Sequence, residues 1–488
     1  MDDAAALFKQ ALAHQGEGRW AEARALYEPL LAAHPELNAV RNNLAVCCLE
    51  MGAPELSLDL LLPLAVDGAG LEVKTNLGNA LRALGRFAEA EAAYGEVAAK
   101  APMDPRAVSN LALACQDQGR LEEAVAGFER AVALAPNEPS LRANLGGAYL
   151  MAGDYANGFA AHEFRLAGSA AEAAMKKAGL ALWDGSSLKG RRLLVWTEQG
   201  LGDTLQFLRF LPLTGGWIVL MAQGALHRLA AGIETVEHVA GWNDPIPDCD
   251  VQVALLSLPR HLGIDGPDKI PPSLLSADPL LCELWGQRLA HDRLSPSHPS
   301  DAEINVNRSL IQIGRADSRP QSKPEDGFDF RRSALASLKG RRVGLSWQGN
   351  PAMKADRFRS APLSVFQPLF ALPGVSWVSL QTGPGREQLA DIKTPLLDLG
   401  GEIADLADTA AIMSHLDLVI SVDSAVAHLA GCLNRPVWAM VRANPDWRWP
   451  PGHSTTPWYP TARLWRQERL GDWSLILDEM VRALPTYI

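Results

Sequence analysis

Apolar and small residues in the first third of the chain recur with a long period. The stretch "NLGNALRALGRFAEAEAAY" from Asn76 returns as "NLALACQDQGRLEEAVAGF" from Asn110 and as "NLGGAYLMAGDYANGFAAH" from Asn144, each copy 34 residues after the last. Gly85, Gly119 and Gly153 keep this register, as do Ala90 with Ala124 and Pro102 with Pro136. Towards the N-terminus, Ala23, Tyr27 and Pro35 match Ala90, Tyr94 and Pro102 across two repeats, one of them shorter by a residue. Small residues let paired helices approach, the glycine permits the turn, and proline closes each unit. The period predicts a solenoid of helix-turn-helix units over residues 1–166, with Ala53 to Gly70 its most degenerate part. Such an array presents a concave surface that holds a peptide or another protein, or serves self-association.

Beyond residue 180 the pattern changes. Helix-period alanines give way to short β-type runs alternating with helical ones. The candidate strands are "RLLVW" at Arg192, "WIVLM" at Trp217, "VQVALL" at Val251, "RVGLSW" at Arg342, "VSWVSL" at Val375, "LDLVISV" at Leu416 and "PVWAMV" at Pro436. Strand and helix in alternation predict parallel sheets. Because "LKGRRLLVWTEQG" from Leu188 and "LKGRRVGLSWQGN" from Leu338 enter their regions in nearly the same way, two doubly wound domains are expected, at 183–292 and 336–488. The polar, proline-spotted segment 293–335 between them reads as a linker or mobile insertion.

Composition narrows the function classes. A chain of 488 residues exceeds one ordinary core, and its net charge of -11 offers no footprint for nucleic acid. The opening "MDDAAALFKQ" lacks a basic region and an apolar core, so no signal peptide is expected. No apolar run is long enough to span a membrane. The six cysteines form no C-x-x-C pair, and a reduced, cytoplasmic location is expected. Neither H-E-x-x-H nor a D-x-D pair after a strand is present, so no metal site is expected.

Candidate chemistry lies at the ends of the strands. "TEQGLGDTLQF" follows the first strand and opens a helix, the usual form of a phosphate loop, yet its tip carries Asp203, which would repel phosphate. A carboxylate there is either a general base or, read as "DTLQ" with Gln206 at N3, the N-cap of a capping box. Glu198 is the reserve base, and Gln199, Gly200 and Gly202 complete the loop. In the second region, Asp423 and Ser424 end a strand just before the helix "AVAHLAGCL", where N–H groups face a ligand phosphate. His428 on that helix is a donor contact or a satisfied helix histidine, and Asp423 a ligand or a cap. The loop "WQGNPAMKADRFRS" brings Asn350, Lys354, Arg357, Arg359 and Ser360, cations suited to a leaving phosphate or merely solvated. "SLQTGPGREQ" adds Gln381 and Gly383. The tryptophans of "DWRWPPG" stack on a nucleobase or, more in keeping with their size, are buried between domains.

The motifs "EQGLGDTLQFLRFLP" from Glu198, "GLSWQGNP" from Gly344, "DRFRSAPL" from Asp356, "LADTAAIMSHLDLVISVDSAVAHLAG" from Leu406 and "DWRWPPG" from Asp446 carry a resemblance. Together with the repeats, they resemble bacterial tetratricopeptide proteins with a C-terminal glycosyltransferase domain similar to the lipopolysaccharide heptosyltransferases, a group that includes flagellin glycosyltransferases. The resemblance implies a GT-B fold of two Rossmann-like domains after the solenoid, the donor on residues 336–488 and the acceptor on 183–292. It implies Asp203 as general base and Asp423, Ser424 and His428 at the donor. It further implies inverting, metal-independent transfer from CMP-nonulosonic acid, ADP-heptose or a UDP-sugar, with a Ser or Thr of a captured protein, flagellin first, as acceptor. The segment 293–335 has no counterpart in the family. The rival functions are an adaptor with an inactive transferase domain, and a transferase acting on lipopolysaccharide or another glycan.

Overall fold

The computed structural model describes residues 2–66, 68–291, 340–353 and 356–487. The segment 293–335 and Lys354 lie outside the described residues.

Among the described residues, ten α-helices from Asp2–Gly16 to Tyr155–His162 stack as five antiparallel pairs. The pairs meet through the small and aromatic positions of the repeat: Ala23, Ala90 and Ala124 are fully buried, as are Tyr27, Tyr94, Phe128 and Phe159 to within a few per cent. Gly18, Gly52, Gly85, Gly119 and Gly153 all turn with φ between +72° and +83°, a conformation that only glycine enters without cost. This explains why the glycine keeps the register. The weakest unit is a helix of 8 residues, Pro54–Leu61, followed by the 3-10 turn Leu62–Leu64. Pro63 ends it by withholding an N–H.

Two all-parallel sheets follow. The first holds β1 (Ala181–Leu182), β2 (Arg192–Trp196), β3 (Trp217–Met221), β4 (Val236–Ala240) and β5 (Val251–Ala254), in the order β1-β5-β2-β3-β4. The second holds β6 (Arg341–Ser346), β7 (Val375–Ser379), β8 (Leu396–Asp398), β9 (Leu418–Val422), β10 (Val437–Val441) and β11 (Ala462–Arg466), in the order β11-β10-β9-β6-β7-β8. All seven expected runs are strands, whereas β1, β4, β8 and β11 lacked a legible signal. β1 has two residues and β8 three, and "VEHVA" and "ARLWR" are short edge strands that mix polar and apolar residues without a regular alternation. The two similar entries occupy the same topological place. β2 lies between β3 and β5, and β6 between β7 and β9, so in each sheet the chain reverses direction beside its entry strand.

The two sheets and the solenoid share one core. Helix Leu201–Phe207, after β2, packs on helix Ala425–Cys432, after β9. Around them Tyr155 and Phe159 of the last repeat meet Phe207, Phe210, Trp447 and Trp458 at ring separations of 5.4–6.4 Å. Trp447 of "DWRWPPG" is therefore buried between domains, the second of the two roles expected of it, while Trp449 is buried within its own domain against His428 and Tyr459. No described helix is long and apolar enough to cross a membrane.

Candidate active site between the two sheets

A cavity of about 760 Å³ opens where the carboxyl ends of the two sheets face each other. Its walls are the loops that follow β2, β6, β7, β9 and β10, with Gln223 after β3. Ligands of parallel sheets bind at this edge, where the chain reverses direction.

One wall is the loop Gln199 to Asp203. Helix Leu201–Phe207 starts three residues earlier than the capping reading required, with extended Gly200 as N-cap and Asp203 at N3. Asp203 thus caps in the opposite sense: its Oδ2 accepts from the Gly200 N–H at 3.0 Å. Its Oδ1 lies 2.5 Å from the Arg448 guanidinium. Gly202 is required by contact, since a Cβ there would stand 2.5 Å from the His428 ring. The backbone of Gln199 is held by Gln223, whose Nε2 donates to its carbonyl at 2.7 Å.

Arg448 joins the walls. Its Nε donates to Gln206 Oε1 at 2.6 Å and its Nη1 to Asp446 Oδ1 at 2.6 Å, while the plane covers Trp447. Burial works against this charge, and the carboxylates of Asp446 and Asp203 more than offset it, so the guanidinium is held above its ordinary range. Three acceptors from two domains therefore converge on one buried cation.

The opposite wall is the start of helix Ala425–Cys432. Ser424 is its N-cap and accepts from the Val426 N–H at 3.3 Å, while its hydroxyl lies 3.0 Å from that of Ser421. Asp423 lies 3.7 Å from His428 Nε2, a charge contact rather than a hydrogen bond. Burial works to raise the Asp423 carboxyl, and His428 and Arg359 more than offset it, holding it at about 2. His428 is anchored on its other side by Tyr459, with Nδ1 and the hydroxyl 2.7 Å apart. The ring is both a site wall and a satisfied helix histidine.

The remaining expected residues divide. Asn350 and Arg359 line the cavity, and Arg359 pairs with Asp356 at 3.0 Å. Gln381 reaches the cavity, but its amide is spent on the protein: it accepts from Ser346, Trp347 and Gln348 and donates to Gln348 and Pro384, all within 3.1 Å. It ties the loops after β6 and β7 together. Gly383 turns at φ +68° between the lining residues Thr382 and Pro384. Ser360 stands behind the wall, accepting from Gly349 N–H and donating to Asp356, both at 2.9 Å.

Two expected residues do not face the cavity. Glu198, the reserve base, is buried against Arg165, Nη2 to Oε1 2.5 Å, and accepts from Leu256 N–H. Burial raises its carboxyl despite Arg165, and its work is structural. Arg357 turns outward and pairs with Glu55 of the solenoid.

Sequence reasoning missed Arg442, Asp446, Arg448 and Gln223. Arg448 lies inside "DWRWPPG", between the two tryptophans. Arg442 directly follows strand "PVWAMV", the position from which ligand contacts come. Among the described residues it forms no ion pair or hydrogen bond, although it lines the cavity.

Comparison with known proteins agrees with this division of the chain. Residues 2–67 and 75–139 match the tetratricopeptide repeat model. Residues 386–468, which carry β8 to β11 and the Asp423 and Arg448 loops, match glycosyltransferase family 9 (heptosyltransferase). The chain thus carries tetratricopeptide repeats in its first third and a C-terminal segment similar to the heptosyltransferases. It is 27% identical over 351 residues to protein FlbA of Caulobacter vibrioides, over 69% of this chain and 54% of that protein. The chain thus spans about half the length of this curated relative. Among solved structures it is similar to a thermophilic TPR protein of Thermus thermophilus, at 19% identity and a TM-score of 0.32, over 36% of this chain and 97% of that one. It is also similar to pilF of Pseudomonas aeruginosa, at 22% identity and a TM-score of 0.30, over 36% and 81%.

Proposed function

We propose that this chain is a glycosyltransferase whose two sheet domains form a GT-B pair, moving a sugar from a nucleotide-sugar to a Ser or Thr hydroxyl of a polypeptide held by the repeats. The observation that carries the reading is the shared cavity, with a carboxylate on one wall and a helix N-terminus with a spare cation on the other. The solenoid supports a protein acceptor, and flagellin is the first to test.

The residues suggest a single displacement. The acceptor hydroxyl oxygen attacks the anomeric carbon as its proton passes to Asp203. The bond from that carbon to the phosphate oxygen breaks, its electron pair stays on the phosphate, and the anomeric centre inverts. A carboxylate accepts about four hydrogen bonds, so Asp203 keeps free lone pairs beside Gly200 and Arg448. Proton transfer is late, when the attacking hydroxyl has become acidic. Charge accumulating on the phosphate is met by the Ser424 helix N-terminus, Arg359 and Arg442, groups that bind the transition state more strongly than the ground state. Arg442 is the strongest of these, because the others already serve protein partners. This set of donors makes the proposed transfer metal-independent.

The test is the intact mass of flagellin co-expressed with the wild type, Asp203→Ala or Arg442→Ala in cells that supply CMP-nonulosonic acid, ADP-heptose or a UDP-sugar. A mass increase with the wild type, lost in Asp203→Ala and at least tenfold lower in Arg442→Ala, is expected, and the increment names the sugar. An increase that survives Asp203→Ala would reduce Asp203 to a cap and a partner of Arg448. No increase with any donor would favour the adaptor or a glycan acceptor.

A further inference from the structure

The solenoid touches the sheet domains at the loops that line the cavity. After β10, Asn444 Nδ2 donates to Asp117 Oδ1 at 3.2 Å, and Arg82 of the preceding repeat pairs with the other oxygen of Asp117. After β2, Arg165 holds Glu198 at 2.5 Å, immediately before the wall Gln199 to Asp203, and also reaches Ser257 at 3.1 Å. After β6, Glu55 pairs with Arg357, on the same loop as Asn350 and Arg359. Leu470 packs so closely on Gly85 that a Cβ there would stand 2.7 Å from it. Four repeats thus contribute to one line of contacts along the cavity rim.

Exposure ranks these ties. Glu55 and Arg357 are 58% and 41% exposed, and a pair so open contributes little. Asp117, at 9%, and Arg165 with Glu198, at 8% and 4%, are enclosed. A hydrogen bond to a buried charge is worth roughly a tenfold or greater change in an equilibrium. Among the described residues Asn444 has no other side-chain partner, and its Oδ1 is buried without a donor. The loop that carries Arg442, Asp446 and Arg448 is therefore fixed at this point by Asp117 alone.

We propose that Asp117 is a positioning residue of the transfer site, with Arg165 as its counterpart on the opposite wall. The repeats are then part of the framework of the site and not only a tethered capture arm. For its effect on the donor, this inference rests on the function proposed above.

The test uses the full chain with Asp117→Ala, Asp117→Asn and Asn444→Ala. Two quantities are read: amide hydrogen exchange of residues 442–448, and the dissociation constants of CMP, ADP and UDP. Asp117→Ala and Asn444→Ala should each speed exchange in 442–448 about tenfold and weaken the nucleotide that the wild type binds about tenfold, with the melting temperature within a few degrees. Asp117→Asn, whose carbonyl still accepts from Asn444, should restore most of both. Unchanged exchange in 442–448 for both alanine variants would overturn the proposal. Faster exchange with unchanged nucleotide binding would overturn the link to the donor. Should Asp117→Ala fail to fold, Asn444→Ala decides alone, because it cuts the same bond from the loop side. If the wild type binds none of the three nucleotides while exchange responds as expected, the donor reading fails and the positioning role stands.

Discussion

Asp423 and Asp203 are acids in one cavity with opposite constraints. Asp203 is split between a backbone N–H and a guanidinium. Asp423 faces an imidazole, and its carboxyl is held at about 2 against an ordinary 3.8. A carboxyl depressed on folding stabilises the protein above its unfolded value, and that contribution is lost as pH falls from about 4 through 2. We expect Asp423→Asn to flatten the acid limb of the stability curve over this range and to remove about 2 kcal/mol at neutral pH. Acid-unfolding midpoints of the two proteins check this, and parallel acid limbs would exclude the interaction with His428. Asp423 and Asp203 were both legible as chemistry-bearing residues because each lies where a strand gives way to a helix. The partner of Asp203 was not, since Arg448 lies far along the chain, whereas His428 stands five residues from Asp423.

At the scale of elements, two helices from different sheets are joined by an ion cluster built on a fully buried acid, Asp408. Arg228 of His227–Ala231 donates to both oxygens of Asp405, each at 2.6 Å, and to Asp408 at 2.7 Å, on Leu406–Met413. Asp408 is fully buried and also accepts from the Trp285 indole at 3.2 Å. Removing the cation leaves a buried charge with neutral donors only, which costs about 3 kcal/mol. Glu402, the acid paired with Arg288 between the same two regions, is 40% exposed, and a pair on so open an acid is worth less than about 1 kcal/mol. Denaturant midpoints should therefore fall markedly for Arg228→Met and barely for Glu402→Gln. Equal losses would refute the assignment of weight by burial. Helix starts, glycine turns and the central strands were readable because each is decided within a few residues of sequence. The edge strands were not, because pairing on one side only leaves their pattern half polar.

At the scale of the whole molecule, the last repeat is part of the core of the sheet domains. Tyr155 and Phe159 pack on Phe207, Trp447 and Trp458 with centroids 6.0–6.4 Å apart. A chain beginning at residue 167 would expose this aromatic patch, and such patches drive association. We expect that fragment to bind a hydrophobic dye and to sediment as aggregates, whereas a monomer melting close to the full chain would show the repeats to be independent.

By itself the sequence determined the repeat and its register, the parallel sheets with their matched entry strands, and the loops in which charged and glycine residues gather, because periodicity and turn chemistry act over short distances. Only the tertiary structure decided which of those residues share a cavity. It turned Glu198 and Arg357 towards the solenoid, closed the Gln381 amide on its own loops, and brought Arg448 onto Asp203 across 245 positions of chain. A side chain's partner at such a separation depends on how two sheets and a solenoid pack, and no local pattern encodes that.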